Sequence, residues 1–131
     1  MTWFSGYLFT PNCTRDKDFL MQRYGSIIRL KPEKYEEYKI LHANVWPEVA
    51  AMIETCNIQN YSIYHWNGLL FSYFEYVGND FEGDMTKMAA DPKTREWWAV
   101  CDPCQQPVEG NSKSSVEGNW WKNMEELFHQ E

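Results

Sequence analysis

Positive charge is the first thing this sequence is short of. Twelve Lys and Arg stand against nineteen Asp and Glu, giving a net charge of −7 and a pI near 4.9. A nucleic acid or an anionic membrane surface is thereby excluded as the main partner, because either needs a basic patch to neutralise phosphates. Long apolar runs are missing too, so nothing approaches the roughly 18 residues that read as a membrane span. The opening MTWFSGYLFTPNCTRDKDF has no basic n-region and no apolar h-region. It does not read as a secretory signal, and the expected location is the cytoplasm. The sequons Asn12-Cys13-Thr14 and Asn60-Tyr61-Ser62 then read as chance matches. Histidine is scarce: His42, His65 and His129 are scattered singly, which leaves the four cysteines Cys13, Cys56, Cys101 and Cys104 without a second pair at zinc spacing. Cys101 and Cys104 do form a C-x-x-C, but DPCQQP lies between prolines and reads as a loop, where a redox pair needs the start of a helix. Free thiols in a reducing compartment are expected, with no metal and no cofactor.

What the chain has in excess is rings. Aromatics make up 17% of its 131 residues, with seven Trp and eight Tyr. One ordinary domain of this length can bury a real core without so many of them. Amphipathic rings are also suited to stacking on the apolar faces of small ligands.

Residues 1–22 read as an N-terminal extension and 23–131 as the domain proper. The β-branched YGSIIRLK reads as a strand. Pro32 then opens a helix where its missing N–H does no harm, and PEKYEEYKILHANV keeps Tyr38, Leu41, His42 and Val45 on one face. Pro47 should break that helix and restart it as PEVAAMIETC. IQNYSIYHW and LLFSYFEYVG flank Asn67-Gly68, a type I′ hairpin signal. Two helical pieces follow, DFEGDMTKMAA and PKTREWWAVC, the second with Asp91 as cap and Pro92 as first residue. DPCQQPVEGNSKSSVEG reads as a loop, and NWWKNMEELFHQ closes the chain as the last strand. The order β-α-β-β-α-β is that of an α+β ferredoxin-like sandwich. In the third strand Leu70, Ser72, Phe74 and Tyr76 alternate with Leu69, Phe71, Tyr73 and Glu75, so both sheet faces carry large apolar rings. Covering the face opposite the helices predicts a homodimer, a dimeric α/β barrel, through LLFSYFEY and the final segment.

Four-residue spacing puts Tyr38, His42 and Trp46 on one flank of the first helix. A core-facing stripe with a satisfied buried histidine explains that spacing by itself. Asn60-Tyr61 on the hairpin and Trp97-Trp98 on the last helix add spare rings around one titratable group, which also describes a small polar-ligand pocket.

RYGSIIRLKPEKYEEYKILHANVWPE, NYSIY, REWW and MEELFH, in this order over residues 23–131, resemble the L-rhamnose mutarotase family, with Y-x-x-x-H-x-x-x-W-P-E as the most specific motif. The resemblance implies a cofactor-free isomerase of the anomeric carbon with a dimeric ferredoxin-like fold. It implies His42 as proton donor, with Tyr38, Tyr61, Trp97 and Trp98 around the sugar and Asn60, Trp46 and Pro47 in support. The extra first 20 residues and the loop CDPCQQPVEGNSKSSVEGNWW depart from the family's bacterial pattern. The Cys-Asp-Pro-Cys loop is similar to that of L-fucose mutarotases, so fucose is the alternative substrate. Because one fold hosts many functions, a cofactor-free monooxygenase-like protein or a non-catalytic sugar-binding protein is the alternative from another class.

Overall fold

The computed structural model describes residues 21–131. Most of the expected extension, including Cys13 and the Asn12 sequon, lies outside the described residues. Strand β1 (Gln22–Leu30) runs through the sheet with Tyr24, Ser26, Ile28 and Leu30 on one face and Arg23, Gly25, Ile27 and Arg29 on the other. Pro32 starts a short 3-10 turn that leads into α1 (Tyr35–Ala43). The helix stops before Pro47 for the expected reason. Trp46 is extended, at φ −64° and ψ 134°, the backbone that a following proline imposes, and Pro47 is the first residue of α2 (Pro47–Thr55).

β2 (Ile58–Trp66) and β3 (Leu69–Tyr76) meet at Asn67 and Gly68, whose positive φ of 54° and 76° suits the tight hairpin turn. The next two helices are capped by aspartates. Asp80 accepts from the Gly83 N–H at 3.0 Å at the start of α3 (Phe81–Ala90). Asp91 accepts from both the N–H and the hydroxyl of Thr94, each at 2.9 Å, at the start of α4 (Pro92–Cys101).

After α4 the chain is more ordered than the plain loop expected. Asp102–Cys104 form a 3-10 turn and Gln105–Gln106 a short strand, β4, that pairs with the end of β1. Residues 107–121 then bulge away before β5 (Lys122–Met124) pairs with the middle of β1. The antiparallel sheet has the order β2-β3-β1, with β4 and β5 sharing the far edge of β1. This is the ferredoxin-like order with its last strand interrupted. NWWKNMEELFHQ contributes only three residues to that strand, and Leu127 and Phe128 beyond it are 86% and 74% exposed.

The helices cover one sheet face. Ile28, Leu30 and Leu70 pack with Tyr38, Val49, Trp97, Cys101, Cys104 and Trp120, and a second cluster joins Ile58 and Tyr76 to Cys56 and Met88. Each large side chain so buried contributes on the order of 2 kcal/mol. Cys56, Cys101 and Cys104 are free, buried thiols, and burial pushes Cys101 up to about 12. Among the described residues no helix is long and apolar enough to cross a membrane.

Candidate active site

Between the sheet's inner face and the helices lies an open cavity of about 720 Å³. Its sheet side includes Ser26, Ser72, Ile63 and Tyr61, its helix side His42, Trp97 and Trp98, and residues Ser115–Trp121 close part of a third wall. The 101–118 loop region therefore reaches the cavity, with Ser115 to Gly118 on its lining.

His42 stands on the last turn of α1, half-buried. Its Nδ1 lies 3.0 Å from the carbonyl oxygen of Tyr38 on the same helix. A carbonyl only accepts, so Nδ1 carries the hydrogen, and the lone pair of the neutral ring sits on Nε2 at the far side. The ring is held from two sides, stacked on Tyr38 at 4.0 Å between centroids and edge-on to Trp97 at 5.2 Å. Burial lowers the His42 pKa below its ordinary value of 6.5, and the bond to the Tyr38 carbonyl offsets part of this. The resting form is therefore a neutral imidazole with an acceptor nitrogen on the cavity side.

Tyr61 reaches the cavity because of a fault in the strand. Between Gln59 and Ser62 the β2–β3 register slips, two extra-strand steps on β3 facing three on β2. Asn60 takes up the extra residue at φ 52°, the left-handed backbone that asparagine tolerates better than most residues. Without the bulge, alternation would pair Ile58 with Asn60 and Ser62 on one face. With it, Ile58, Tyr61 and Ile63 all line the cavity. The Asn60 amide turns the other way and donates to Glu75 at 2.7 Å, where Gln59 and Tyr73 donate as well. These bonds, Asn60's first, hold the Glu75 carboxyl below its ordinary range. Tyr61 is 44% exposed, but into a concave site walled by protein, and burial pushes its phenol up to about 12. It stays protonated as a donor.

Behind His42 runs a buried chain that the sequence reading missed. The Trp120 indole, which can only donate, lies 2.9 Å from Gln105 Oε1. That fixes the Gln105 amide, whose Nε2 donates to the Tyr38 hydroxyl at 3.1 Å. A cavity wall is thus tied through Gln105 to the ring beneath His42. Asp102 ties the loop a second time, accepting from the Ser115 N–H at 2.8 Å and the Ser115 hydroxyl at 2.6 Å. An Asp followed by a loop rich in Ser was the available signal; the Gln105–Trp120 pairing, 15 residues apart, had none.

Of the residues singled out from sequence, His42, Tyr61, Trp97 and Trp98 come together on the cavity. Both tryptophans line it, although neighbours on a helix face different ways. Tyr38 stands apart from the lining, 5% exposed beneath His42, and burial pushes its phenol well above the usual range. Trp46 packs edge-on to Trp97 at 5.2 Å, outside the lining. Among the described residues no group of three His, Cys, Asp or Glu is placed to hold a metal ion.

Fold and site define a small α+β protein with one histidine set in an aromatic-walled pocket sized for a compact polar molecule. A match to the L-rhamnose mutarotase family spans residues 23–130. The chain is 35% identical over 111 residues to the L-rhamnose mutarotase of Bacillus subtilis, covering 83% of this chain and 98% of that one. It is 29% identical over 109 residues to that of Lactiplantibacillus plantarum, with the same coverage. The fold is that of an L-rhamnose mutarotase crystal structure from Formosa agariphila, with TM-score 0.64 and 21% identity over 84% of this chain and 99% of that one. A tetracenomycin F2 cyclase from Streptomyces glaucescens shares the fold at TM-score 0.61 and 10% identity, over 84% of this chain and 97% of that one. The chain belongs to the L-rhamnose mutarotase family, whose members are isomerases that interconvert sugar anomers.

Proposed function

We propose that this chain interconverts the α and β anomers of L-rhamnose by acid/base catalysis at His42. The observation that carries the reading is the neutral imidazole with Nδ1 tied to Tyr38 and Nε2 left to an aromatic cavity. Ring opening needs the anomeric hydroxyl to lose a proton and the ring oxygen to gain one while the C1–O5 bond breaks and C1 becomes a carbonyl. Nε2 takes the first proton, and the imidazolium formed returns it to the ring oxygen as the proton donor. The aldehyde turns about the C1–C2 bond, and the same steps reversed close the other anomer. Tyr61, protonated throughout, donates a hydrogen bond to the oxygen that carries developing charge. Trp97 and Trp98 stack on the C–H face and methyl group of the sugar, and Tyr38 acts through His42 by fixing its ring. No metal or cofactor enters these steps.

The test is NMR saturation transfer between anomers across L-rhamnose, L-fucose and other hexoses. Faster exchange of L-rhamnose than of the others supports the reading, and exchange no faster than in buffer for every sugar sinks it.

The outer sheet face favours a homodimer. Trp66 beside Leu69, and Tyr64 beside Phe71 and Ile27, form a continuous apolar band, with Tyr64 and Trp66 67% and 68% exposed. At roughly 25 cal/mol per Å² its burial is a strong drive to pair. Light scattering at micromolar concentration should give twice the 15.6 kDa of one chain; a mass of one chain would count against it. Free buried thiols suit a reducing compartment, and the cytoplasm is the location we infer.

A further inference from the structure

A polar row crosses the cavity floor. In the antiparallel register Ser72 of β3 stands beside Ser26 of β1, and Ser26 beside Asn123 of β5. All three residues line the cavity. The neighbouring rows on this face are apolar, Tyr24 beside Phe74 on one side and Ile28 beside Leu70 on the other. Ser26 and Ser72 are 4% and 6% exposed, and their hydroxyls are in direct hydrogen-bond contact.

That contact leaves hydrogen-bonding capacity over. Two hydroxyls bring two protons, one of which joins the two oxygens, and the other has no protein acceptor among the described residues. Two other hydroxyls on the lining are already engaged, Thr94 with Asp91 and Ser115 with Asp102. Burying a hydroxyl is unfavourable unless something completes its bonds. On this stretch of floor, flanked by two apolar rows, the completing group is a ligand in the cavity. The row spans two interstrand steps of about 4.8 Å each, the scale of a single sugar ring.

We propose that the Ser72–Ser26–Asn123 row determines which sugar the site accepts, the serine pair donating its unengaged proton to one ring hydroxyl and the Asn123 amide binding a second. The inference deepens the mutarotase reading and rests on it. The sugar lies between this floor and His42, its hydroxyl-bearing edge on the row and its C–H face on the tryptophans.

The test compares L-rhamnose with its analogues lacking the 2-, 3- or 4-hydroxyl, by saturation transfer, in wild type, S26A/S72A and Asn123→Ala. The double variant removes both partners together, so neither hydroxyl is stranded and the fold is kept, as circular dichroism will check. Wild type should disfavour one analogue by about tenfold in kcat/KM, the usual worth of one such bond, and S26A/S72A should bring that ratio near one. Asn123 is the middle residue of the exposed strand β5, and its alanine variant should level the ratio at a different hydroxyl. A levelled ratio is an effect that a purely structural role would not produce. Ratios unchanged from wild type in both variants overturn the proposal. A wild-type protein that accelerates no sugar overturns the mutarotase reading instead, so the two failures are distinct.

Discussion

Two tyrosines are buried on the inner side of this fold, and their surroundings differ in one respect. The Tyr76 hydroxyl donates to Asp84 at 2.6 Å and accepts from the Asp80 N–H at 2.9 Å, while Asn57 donates to the same Asp84 oxygen at 2.9 Å. Every group there is closed by another protein group, and the bonds from Tyr76 and Asn57 hold the Asp84 carboxyl below its ordinary range. The network knits the end of the hairpin to α3. Tyr38 accepts from Gln105, supports His42 by stacking, and supplies the carbonyl that fixes the imidazole's tautomer. That chain ends on a nitrogen that no protein group among the described residues completes. A closed network stabilises the fold, whereas one left open at the cavity is available for chemistry.

The sharpest way to break this contrast is His42→Gln. Anomer exchange should slow by at least about 10², the usual worth of a positioned acid/base group, with the melting temperature little changed. Retained exchange in a folded variant would move the chemistry to Tyr61. A collapsed fold would instead make His42 a core histidine and erase the distinction between the two networks.

Removing one hydroxyl from each network tests the contrast symmetrically. Tyr76→Phe should cost about 1–3 kcal/mol of stability, because it strands a carboxylate bond and a backbone N–H, yet leave exchange within about twofold of wild type. Tyr38→Phe strands only the Gln105 amide and should cost about 1 kcal/mol, but lower the exchange rate about tenfold by loosening the ring under His42. Urea unfolding and saturation transfer on both variants decide it. Equal losses of rate would show that the two tyrosines do the same job.

A smaller effect belongs to the bulge that turns Tyr61 inward. Asn60→Ala keeps a Cβ in left-handed backbone but removes the polar side chain that makes this conformation tolerable, at a cost of about 1 kcal/mol, and should raise KM several-fold as Tyr61 is displaced. Asn60→Gly keeps the backbone but loses the bond to Glu75, and should restore most of the lost binding. If glycine is as damaging as alanine, the clamp to Glu75 sets Tyr61, and the backbone conformation does not.

These residues also show how far the sequence could be read. The Pro47 break, the Asn67-Gly68 hairpin and the Asp91 cap were legible because each rests on local backbone chemistry, and the structure has all three. Helical spacing put His42 on a flank with Tyr38 and Trp46, which by itself fitted a core histidine; its role as proton donor came from the family resemblance. Tyr61 was picked for its ring, but the reason it reaches the cavity is a register slip, and a period-2 reading of IQNYSIY sends Tyr61 to the opposite face from Ile58. The family resemblance implied Tyr38 beside the sugar, and helical spacing, which puts it on the flank of His42, cannot say which of two stacked rings lies deeper. The Gln105–Trp120 bond and the Ser26–Ser72 pair join residues 15 and 46 positions apart, and no local pattern encodes such a meeting. The last strand was drawn too long because pattern could not tell that β4 takes up half of that edge.

The smallest effect expected is in pH. Burial holds the His42 pKa below 6.5, so between that lowered value and 6.5 the unfolded chain binds more protons than the folded one. Stability therefore rises with pH across this window and is flat above it; on the acid side it falls until the folded imidazole also protonates. Glu75 and Asp84, held below 4.5 and 3.8, lose their contributions only at lower pH, which separates their titration from that of His42. The exchange rate should follow the same group, because an imidazole already protonated cannot take the anomeric proton: its acid limb should lie below 6.5 and be absent from the residual rate of His42→Gln. Tyr76→Phe should leave that limb where it is. Tyr38→Phe, by letting water nearer the ring, should move it upward toward 6.5. Profiles that coincide for Tyr38→Phe and Tyr76→Phe would mean that the chain from Trp120 to His42 does not govern the histidine, and only its own helix carbonyl does.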